Sequence, residues 1–223
     1  MTKCILVVVA HPDDEVLGCG GCIARHAAAG DRVHVIFVAD GVTARPGTGR
    51  DELARRQQAI GLTSEMLGIA SVSHLGLPDN RLDSLPLLDI VQLLEAQIAE
   101  LAPEIVYTHH YGDLNVDHRL THQAVMTACR PQPSSTVREI LTFEVMSSTE
   151  WSSVGLAPFL PNLFVDISEQ LDVKMRALEA YGLEMRFSPH SRSLEHLRCL
   201  ARHRGNGVGV DVAEAFMVMR IIR

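Results

Sequence analysis

The stretch that decides the fold is Lys3-Cys-Ile-Leu-Val-Val-Val-Ala10, which runs directly into the polar pentapeptide His11-Pro-Asp-Asp-Glu15. An unbroken run of β-branched and aliphatic side chains is typical of a parallel strand that is covered on both faces. The run is too short for the core of a signal peptide or for a membrane span. We therefore predict a buried strand whose carboxyl end carries carboxylate and imidazole side chains.

Apolar runs and helical periodicity alternate along the rest of the chain. The predicted strands are residues 3–10, 32–39, 72–75, 104–108, 140–145 and 162–167. The predicted helices are residues 14–30, 51–67 and 86–101, a segment ending at Arg130, and residues 168–182, with a Gly- and Pro-rich loop at 42–49. This alternation favours an α/β fold with a Rossmann-like, doubly wound, mainly parallel sheet and helices on both faces. The C-terminal third is expected to pack on the same core, so residues 1–223 are predicted to form a single domain.

Charge and cysteine usage restrict the partners and the compartment. The formal net charge of −7 disfavours a nucleic-acid partner, because phosphate binding needs a concentrated basic surface. No segment is predicted to enter a membrane. The five cysteines are scattered and odd in number, which indicates reduced thiols and a cytoplasmic location. Cys19 and Cys22 have the spacing of a redox pair, but they lie inside a predicted helix and are expected to be structural.

Three strand exits carry polar residues, the second of them through Asp40 alone. Ligands of open α/β sheets bind beyond the carboxyl ends of strands. Imidazole and carboxylate groups are the usual ligands of a catalytic zinc, which keeps a fourth position open. His11, Asp14 and His118 satisfy that count. Asp13 and Asp14 are adjacent and cannot point the same way from a regular element, so one can bind metal while the other serves as a base. The polar residues of the exit after the fourth predicted strand are His109, His110, Asp113, Asn115, Asp117 and His118.

Each of these residues also has an ordinary structural interpretation. A histidine after a strand is usually solvated or capped, and Asp13 could be a helix N-cap. Two adjacent carboxylates at one exit and an Asp-His pair at another favour a metal site when they are taken together. The glycines that follow Glu15 do not form a G-x-G-x-x-G pattern, so a nicotinamide cofactor is not expected.

Two motifs carry a resemblance to a known family. Ala10-His-Pro-Asp-Asp-Glu15, followed by Gly18-Cys-Gly-Gly21, resembles the opening motif of the LmbE/PIG-L deacetylases, and the segment Tyr107 to His118, ending Asp-His, resembles their second motif. Arg56, Leu77-Pro-Asp79 and Ala213-Glu-Ala-Phe216 extend the resemblance over nearly the whole chain.

The resemblance implies a role for each matching residue. It implies one Zn²⁺ at His11, Asp14 and His118, with Asp13 as general base; the nitrogen and oxygen ligands also admit Fe²⁺. Asp117 is implied to support a metal ligand from outside the coordination sphere. Several family members have a histidine where this chain has Asn115, so His110 or His190 is expected to act as general acid. The residues expected to contact substrate are Arg56, Asp79, Asn115 and Arg192.

The function implied is removal of an acetyl group from an N-acetylamino sugar, an N-acetylglucosamine-like free sugar or glycoconjugate. Zinc-activated water would attack the amide. Two alternatives stay open: a zinc amidase or esterase with a non-sugar substrate, and a catalytically silent sugar- or nucleotide-binding domain. The resemblance also admits a homo-oligomer.

Overall fold

The computed structural model describes residues 2–44 and 50–223. The strands are β1 Cys4–Val9, β2 Arg32–Ala39, β3 Ser71–Leu77, β4 Ile105–His109, β5 Glu139–Phe143, β6 Leu163–Asp166 and β7 Ala213–Ile221. The helices are α1 Asp14–Ala28, α2 Arg50–Leu67, α3 Leu87–Leu101, α4 Val116–Ala128, α5 Leu171–Ala180 and α6 Leu194–Asn206. Short 3₁₀ helices span Leu82–Ser84 and Thr149–Trp151.

The strands form one seven-stranded sheet in the order β3-β2-β1-β4-β5-β7-β6. The first five of these are mutually parallel, and β7 runs antiparallel to both β5 and β6. This confirms the α/β, mainly parallel sheet predicted from the sequence. Part of the predicted loop at 42–49, residues 45–49, lies outside the described residues.

Strand β7 was not predicted as a strand. Its second residue is Glu214, and a carboxylate normally indicates an exposed position. In the structure Glu214 is buried, where it accepts hydrogen bonds from the backbone N–H groups of Gly21 and Cys22 at 2.8 and 2.7 Å. The Lys174 ammonium lies 2.6 Å from the same carboxylate. A buried charge that is fully paired can therefore interrupt the apolar pattern of a strand that is otherwise packed in the core.

Strand β1 lies in the middle of the core, and alternate side chains serve opposite faces of the sheet. Ile5, Val7 and Val9 join a cluster that includes buried residues of α1, α2, α5 and α6. Leu6 and Val8 join a second cluster that includes buried residues of α3 and α4. The continuous apolar run of β1 follows from this position, because neither face is left for water.

Helix α1 approaches the sheet closely because it has glycine at two contact points. A Cβ atom at Gly18 would lie 2.2 Å from the Phe143 ring, and one at Gly21 would lie 2.7 Å from the Ile167 side chain. Any larger residue would push the helix outward. The two glycines therefore allow α1 to lie this close to the sheet.

The topology places one crevice at the carboxyl ends of β1 and β4. The chain winds from β1 towards β2 and β3 on one side, and returns to β4 on the other side of β1. Such a switch in strand order opens a crevice beyond the strand ends, where open α/β sheets bind ligands. Within the described residues, none of the helices combines the length and apolarity that a bilayer crossing requires.

Candidate active site

The turn after β1 and the start of α4 bring three side chains together at this crevice. The Asp14 Oδ2 atom lies 3.4 Å from His11 Nδ1 and 3.3 Å from His118 Nε2. One ligand atom from each residue lies within 4.8 Å of those of the other two, as a shared metal ion requires. The three predicted metal ligands are therefore assembled, and their role as ligands stays a prediction.

The spacing of these atoms fits a tetrahedral ion. Zinc binds nitrogen and carboxylate oxygen at about 2.0–2.2 Å, so two ligand atoms of a tetrahedral site are roughly 3.3–3.5 Å apart. The 3.3 and 3.4 Å separations around Asp14 meet that condition. Asp14 Oδ1 is also buried without a hydrogen-bond partner among the described residues. A carboxylate oxygen in this state is costly unless a cation compensates it.

Carboxylates on the far side of the imidazole rings hold both histidines in place. His11 Nε2 lies 3.1 Å from Asp117 Oδ2 and 3.2 Å from Asp79 Oδ1. His118 Nδ1 lies 3.2 Å from Asp113 Oδ1. The His11 contact with Asp117 is a hydrogen bond, and the His118 contact with Asp113 is an ion pair. A partner on the second ring nitrogen fixes the orientation of a metal-binding histidine. The supporting role predicted for Asp117 therefore has a geometric basis, and Asp113 adds one that the sequence did not indicate.

A second group of ligand-type atoms shares His11. It consists of His11, Asp79 and Asp117, whose nitrogen and oxygen atoms also lie within 4.8 Å of one another. The Asp117 carboxylate already accepts hydrogen bonds from the backbone N–H groups of Asn80 and Leu82, at 2.7 and 3.1 Å. We interpret this group as the support of the His11 ring.

The electrostatics of the cluster suit a cation. Although burial opposes it, the charge of the His118 imidazole and the hydrogen bond from His11 hold the pKa of Asp14 well below its usual range. Burial also opposes a charged His118, yet the carboxylates of Asp14 and Asp113 raise its pKa to about 9. The cluster therefore retains positive charge beside Asp14 as protons, which a divalent ion would displace.

His109 forms the wall behind His118, a role that sequence reasoning did not assign. The two rings stack with centroids 3.9 Å apart. His109 Nε2 accepts a hydrogen bond from the Ala10 N–H at 2.9 Å, so this nitrogen is committed to the backbone. Burial holds the pKa of His109 well below its usual value. His109 is therefore a neutral ring that packs against a predicted ligand and ties β4 to the end of β1.

Asp13 has different surroundings from its neighbour, because its carboxylate pairs with the Arg192 guanidinium. Its backbone has a φ of 116°, a strained conformation for a residue with a side chain. The strain is held by a hydrogen bond from the Asp13 N–H to Glu15 Oε2 (2.9 Å) and by the Arg192 guanidinium on Asp13 Oδ2 (2.8 Å). Burial raises the pKa of Asp13 to about 6, against the opposing charge of Arg192. A carboxylate with a pKa near the working pH is suited to general base catalysis.

A buried network supports Asp13 from behind. Arg56 donates to the Pro12 carbonyl at 2.6 Å and pairs with Glu184 at 2.5 Å. Glu184 Oε2 also lies 4.0 Å from Arg192 Nη1, so one carboxylate faces both guanidinium groups. The Tyr181 hydroxyl donates to Glu15 at 2.7 Å, and burial raises the pKa of Glu15 to about 8. Glu15, Tyr181 and Glu184 were missed from the sequence.

The structure assigns Arg56 and Arg192 protein partners. Arg56 is buried, and its guanidinium contacts the backbone around Pro12 and Gly41 as well as Glu184. Arg192 also donates from Nε to Ser147 Oγ at 2.6 Å. Substrate contact by these two residues stays a prediction; what the geometry supports directly is the positioning of Asp13.

The remaining predicted residues lie around the crevice in different settings. Asp79 accepts a hydrogen bond from the Ala44 N–H at 3.1 Å besides facing His11. Asn115 caps α4 by accepting from the Asp117 N–H at 2.8 Å.

The two general-acid candidates differ in their partners. His110 Nε2 lies 2.8 Å from the Ala157 carbonyl, and burial lowers the pKa of His110, so its proton is already engaged. The Arg192 N–H donates to His190 Nδ1 at 3.0 Å, so His190 lies beside the residue that pairs with Asp13.

The sequence profile described as PIG-L: GlcNAc-PI de-N-acetylase matches residues 6–129, which include the exits after β1 and β4. The chain belongs to the PIG-L family. The uncharacterized deacetylase YaiS of Escherichia coli is 35% identical over 185 residues, covering 80% of this chain and 90% of YaiS. The PIG-L relatives identify the chain with deacetylases, which hydrolyse amide bonds.

Two solved structures show how widely this fold is used. The N,N'-diacetylchitobiose deacetylase from Pyrococcus horikoshii superposes with a TM-score of 0.77 at 21% identity, covering 97% of this chain and 83% of that one. The 4-carboxy-2-hydroxymuconate hydratase GalB from Pseudomonas putida superposes with a TM-score of 0.78 at 23% identity, covering 100% and 99%. These likenesses confirm the PIG-L fold, and the reaction has to be argued from the site.

Proposed function

We propose that this PIG-L protein removes the acetyl group from an N-acetylglucosamine-like sugar, with a divalent metal held by His11, Asp14 and His118. The observation that carries the proposal is the divergence of Asp13 and Asp14. One carboxylate lies among imidazoles at tetrahedral spacing, and its neighbour has a pKa of about 6. Zinc bound to the three residues would supply Lewis acidity, which polarises an amide carbonyl and lowers the pKa of water.

The residues of the chain supply proton transfer and positioning. Asp13 accepts the proton of the attacking water, because its pKa of about 6 leaves it ionised at neutral pH and makes it a stronger base than an ordinary carboxylate. Arg192 and the positive φ of Asp13 fix the position of this carboxylate. The departing amine needs a proton, and His190 and His110 are the candidates. His190 is favoured because it lies two residues before Arg192, whereas His110 already faces the Ala157 carbonyl.

The sugar as substrate is supported by the family description and by the Pyrococcus horikoshii enzyme, both of which name N-acetylated sugars. We further propose that the whole chain is one catalytic domain, because Arg192 reaches Asp13 and Glu214 reaches the backbone of α1. A cytoplasmic location, the absence of nucleic-acid and membrane partners and a homo-oligomeric state stay predictions.

Metal analysis and a substrate panel test the proposed function. The purified protein is expected to contain one zinc or iron ion per chain, to lose activity on chelation, and to regain it with Zn²⁺ or Fe²⁺. N-acetylglucosamine and N,N'-diacetylchitobiose are expected to release acetate, whereas N-acetyl amino acids and aryl acetates are not. Turnover of only the last two would support the amidase or esterase alternative. Sugar binding without acetate release at full metal occupancy would support the silent binding domain.

A further inference from the structure

We propose that the indole of Trp151, flanked by His190, is a sugar-binding subsite at the mouth of the active site. Trp151 is the one tryptophan of the chain, and 51% of its surface is exposed. This inference rests on the proposed function, since it names the group that receives a pyranose ring of the substrate. It adds a specificity-determining residue that lies outside the metal-binding and base positions.

Trp151 is tied to both halves of the active site. It ends the 3₁₀ helix Thr149–Trp151, and the Thr149 hydroxyl donates to Asp113 Oδ2 at 2.6 Å. Asp113 in turn faces His118 Nδ1 at 3.2 Å. On the other side, the Trp151 and His190 rings meet edge to face with centroids 5.6 Å apart. Trp151 therefore lies two residues from Thr149, which binds the carboxylate beside a predicted metal ligand, and one ring contact from the segment that reaches Asp13.

The two segments that carry these rings are locked together. Arg192 Nε donates to the Met146 carbonyl at 3.1 Å and to Ser147 Oγ at 2.6 Å, while Arg192 Nη1 holds Asp13. The Ser193 N–H donates to the His190 carbonyl at 2.9 Å, which closes the turn. An exposed aromatic side chain on segments fixed in this way loses little conformational freedom on binding, as a recognition site requires.

The chemistry of a half-exposed indole matches a pyranose ring. One face of a pyranose presents C–H groups that carry partial positive charge, and the face of an indole carries the negative part of its quadrupole. The flat contact also removes apolar surface from water. The sugar hydroxyls at the ring edge remain free for hydrogen bonds to solvent or to His190.

The fluorescence of this tryptophan gives a readout that does not depend on turnover. Metal-loaded protein is titrated with N-acetylglucosamine, N,N'-diacetylchitobiose and, as the ring-free control, acetamide. We expect a saturable change in Trp151 emission with a sugar and none with acetamide. A change with the disaccharide alone would assign the subsite to the ring next to the one whose acetamide reacts, and a change with both sugars to the reacting ring itself. No saturable change with either sugar, at concentrations up to the KM or to the solubility limit, would overturn the subsite.

Steady-state kinetics with two variants provide the second test. Trp151→Ala is expected to raise the sugar KM by roughly three- to tenfold with kcat held within about twofold, and Trp151→Phe is expected to restore most of the loss. Phe187→Ala, at a side chain that is 96% exposed, is the matched control and should leave KM unchanged. An unchanged KM in Trp151→Ala, with sugar hydrolysis intact, would overturn the subsite and leave the proposed function standing. If the wild-type protein binds sugar at Trp151 without hydrolysing it, the proposed function would be overturned and the subsite would stand.

Discussion

Asp13 and Asp14 are adjacent and both buried, yet their environments are opposites. Asp14 lies among His11, His109 and His118, and His11 and His118 hold its pKa well below the usual range. Asp13 faces Arg192, and burial raises its pKa to about 6. The two sides of the crevice, which we name the imidazole side and the arginine side, therefore give two identical side chains different chemistry. Environment rather than residue type separates a metal ligand from a base.

Removing a ligand on the imidazole side should have the largest effect. His118→Ala is expected to lose metal from the purified protein and to reduce acetate release to background, because the ion would keep two of its three ligands. Metal content and acetate release are measured together. His122→Ala is the matched control, since His122 lies one turn later on α4 and contacts the His109 carbonyl instead. Full metal occupancy and activity in His118→Ala would refute the assigned ligand set.

A change on the arginine side should separate activity from metal binding. Asp13→Asn keeps the size of the side chain but cannot accept a proton, so kcat is expected to fall by about 10²–10⁴-fold. Metal content should stay at the wild-type level, because Asp13 is not among the ligand atoms. Asp172→Asn, at an exposed carboxylate on α5, is the control. Loss of metal together with activity in Asp13→Asn would show that the two sides are not distinct.

The pH dependence of metal affinity tests the charge on the imidazole side. In the metal-free protein the pKa of His118 is about 9, and that of His11 is also raised well above its usual value. Both rings therefore carry protons at neutral pH, and a metal ion must displace them. Affinity should fall by at least about tenfold per pH unit between pH 8 and 6, since each displaced proton contributes one such factor. Competition with a chelator at fixed pH measures it, and equal affinity at pH 6 and 8 would contradict the assignment.

The support of His11 should affect affinity more weakly than a ligand does. Asp117→Asn keeps a hydrogen-bond acceptor but removes the negative charge 3.1 Å from His11 Nε2. Carboxylates in this position typically contribute a factor of about 10–100 in metal affinity. Asp83→Asn, at an exposed residue of the Leu82–Ser84 helix, is the control. An unchanged dissociation constant for zinc in Asp117→Asn would remove Asp117 from the support of the site.

The two sides also differ in how far the sequence predicts them. The imidazole side follows two strands directly, so the apolar runs locate it and the residue types name the ligands. The sequence does not show which polar residues of one strand exit contact the ligands. For this reason Asp113 and His109 were left without roles. Their roles depend on which side chains of an irregular turn face inward, and no periodicity describes that.

The arginine side is assembled from distant segments that show no chemical pattern in the sequence. Arg56 lies on α2, and Glu184 and Arg192 lie in the connection between α5 and α6. Arg56 and Arg192 were identified through resemblance, and the structure shows them facing Glu184 and the backbone. A buried carboxylate such as Glu184 cannot be told from a surface residue in the sequence. For the same reason the buried Glu214 kept β7 from being predicted as a strand. The local sequence pattern contains no information on which charged side chains pair in the folded protein.

The last prediction asks whether Glu184 tunes the arginine side. Its carboxylate faces Arg56 at 2.5 Å and Arg192 at 4.0 Å, so Glu184→Gln leaves two guanidinium groups with less compensation beside Asp13. The added positive field should lower the pKa of Asp13, weaken it as a base and move the acidic limb of the kcat profile to lower pH. We expect a loss of about tenfold in kcat, the effect of roughly one pKa unit, with metal content unchanged. Glu179→Gln, at an exposed residue of α5, is the matched control. A loss of kcat without movement of the acidic limb would mean that Glu184 acts only through packing. Movement of the acidic limb to lower pH without loss of metal would show that the arginine side sets the basicity of Asp13. It would also show that this effect is independent of the imidazole side.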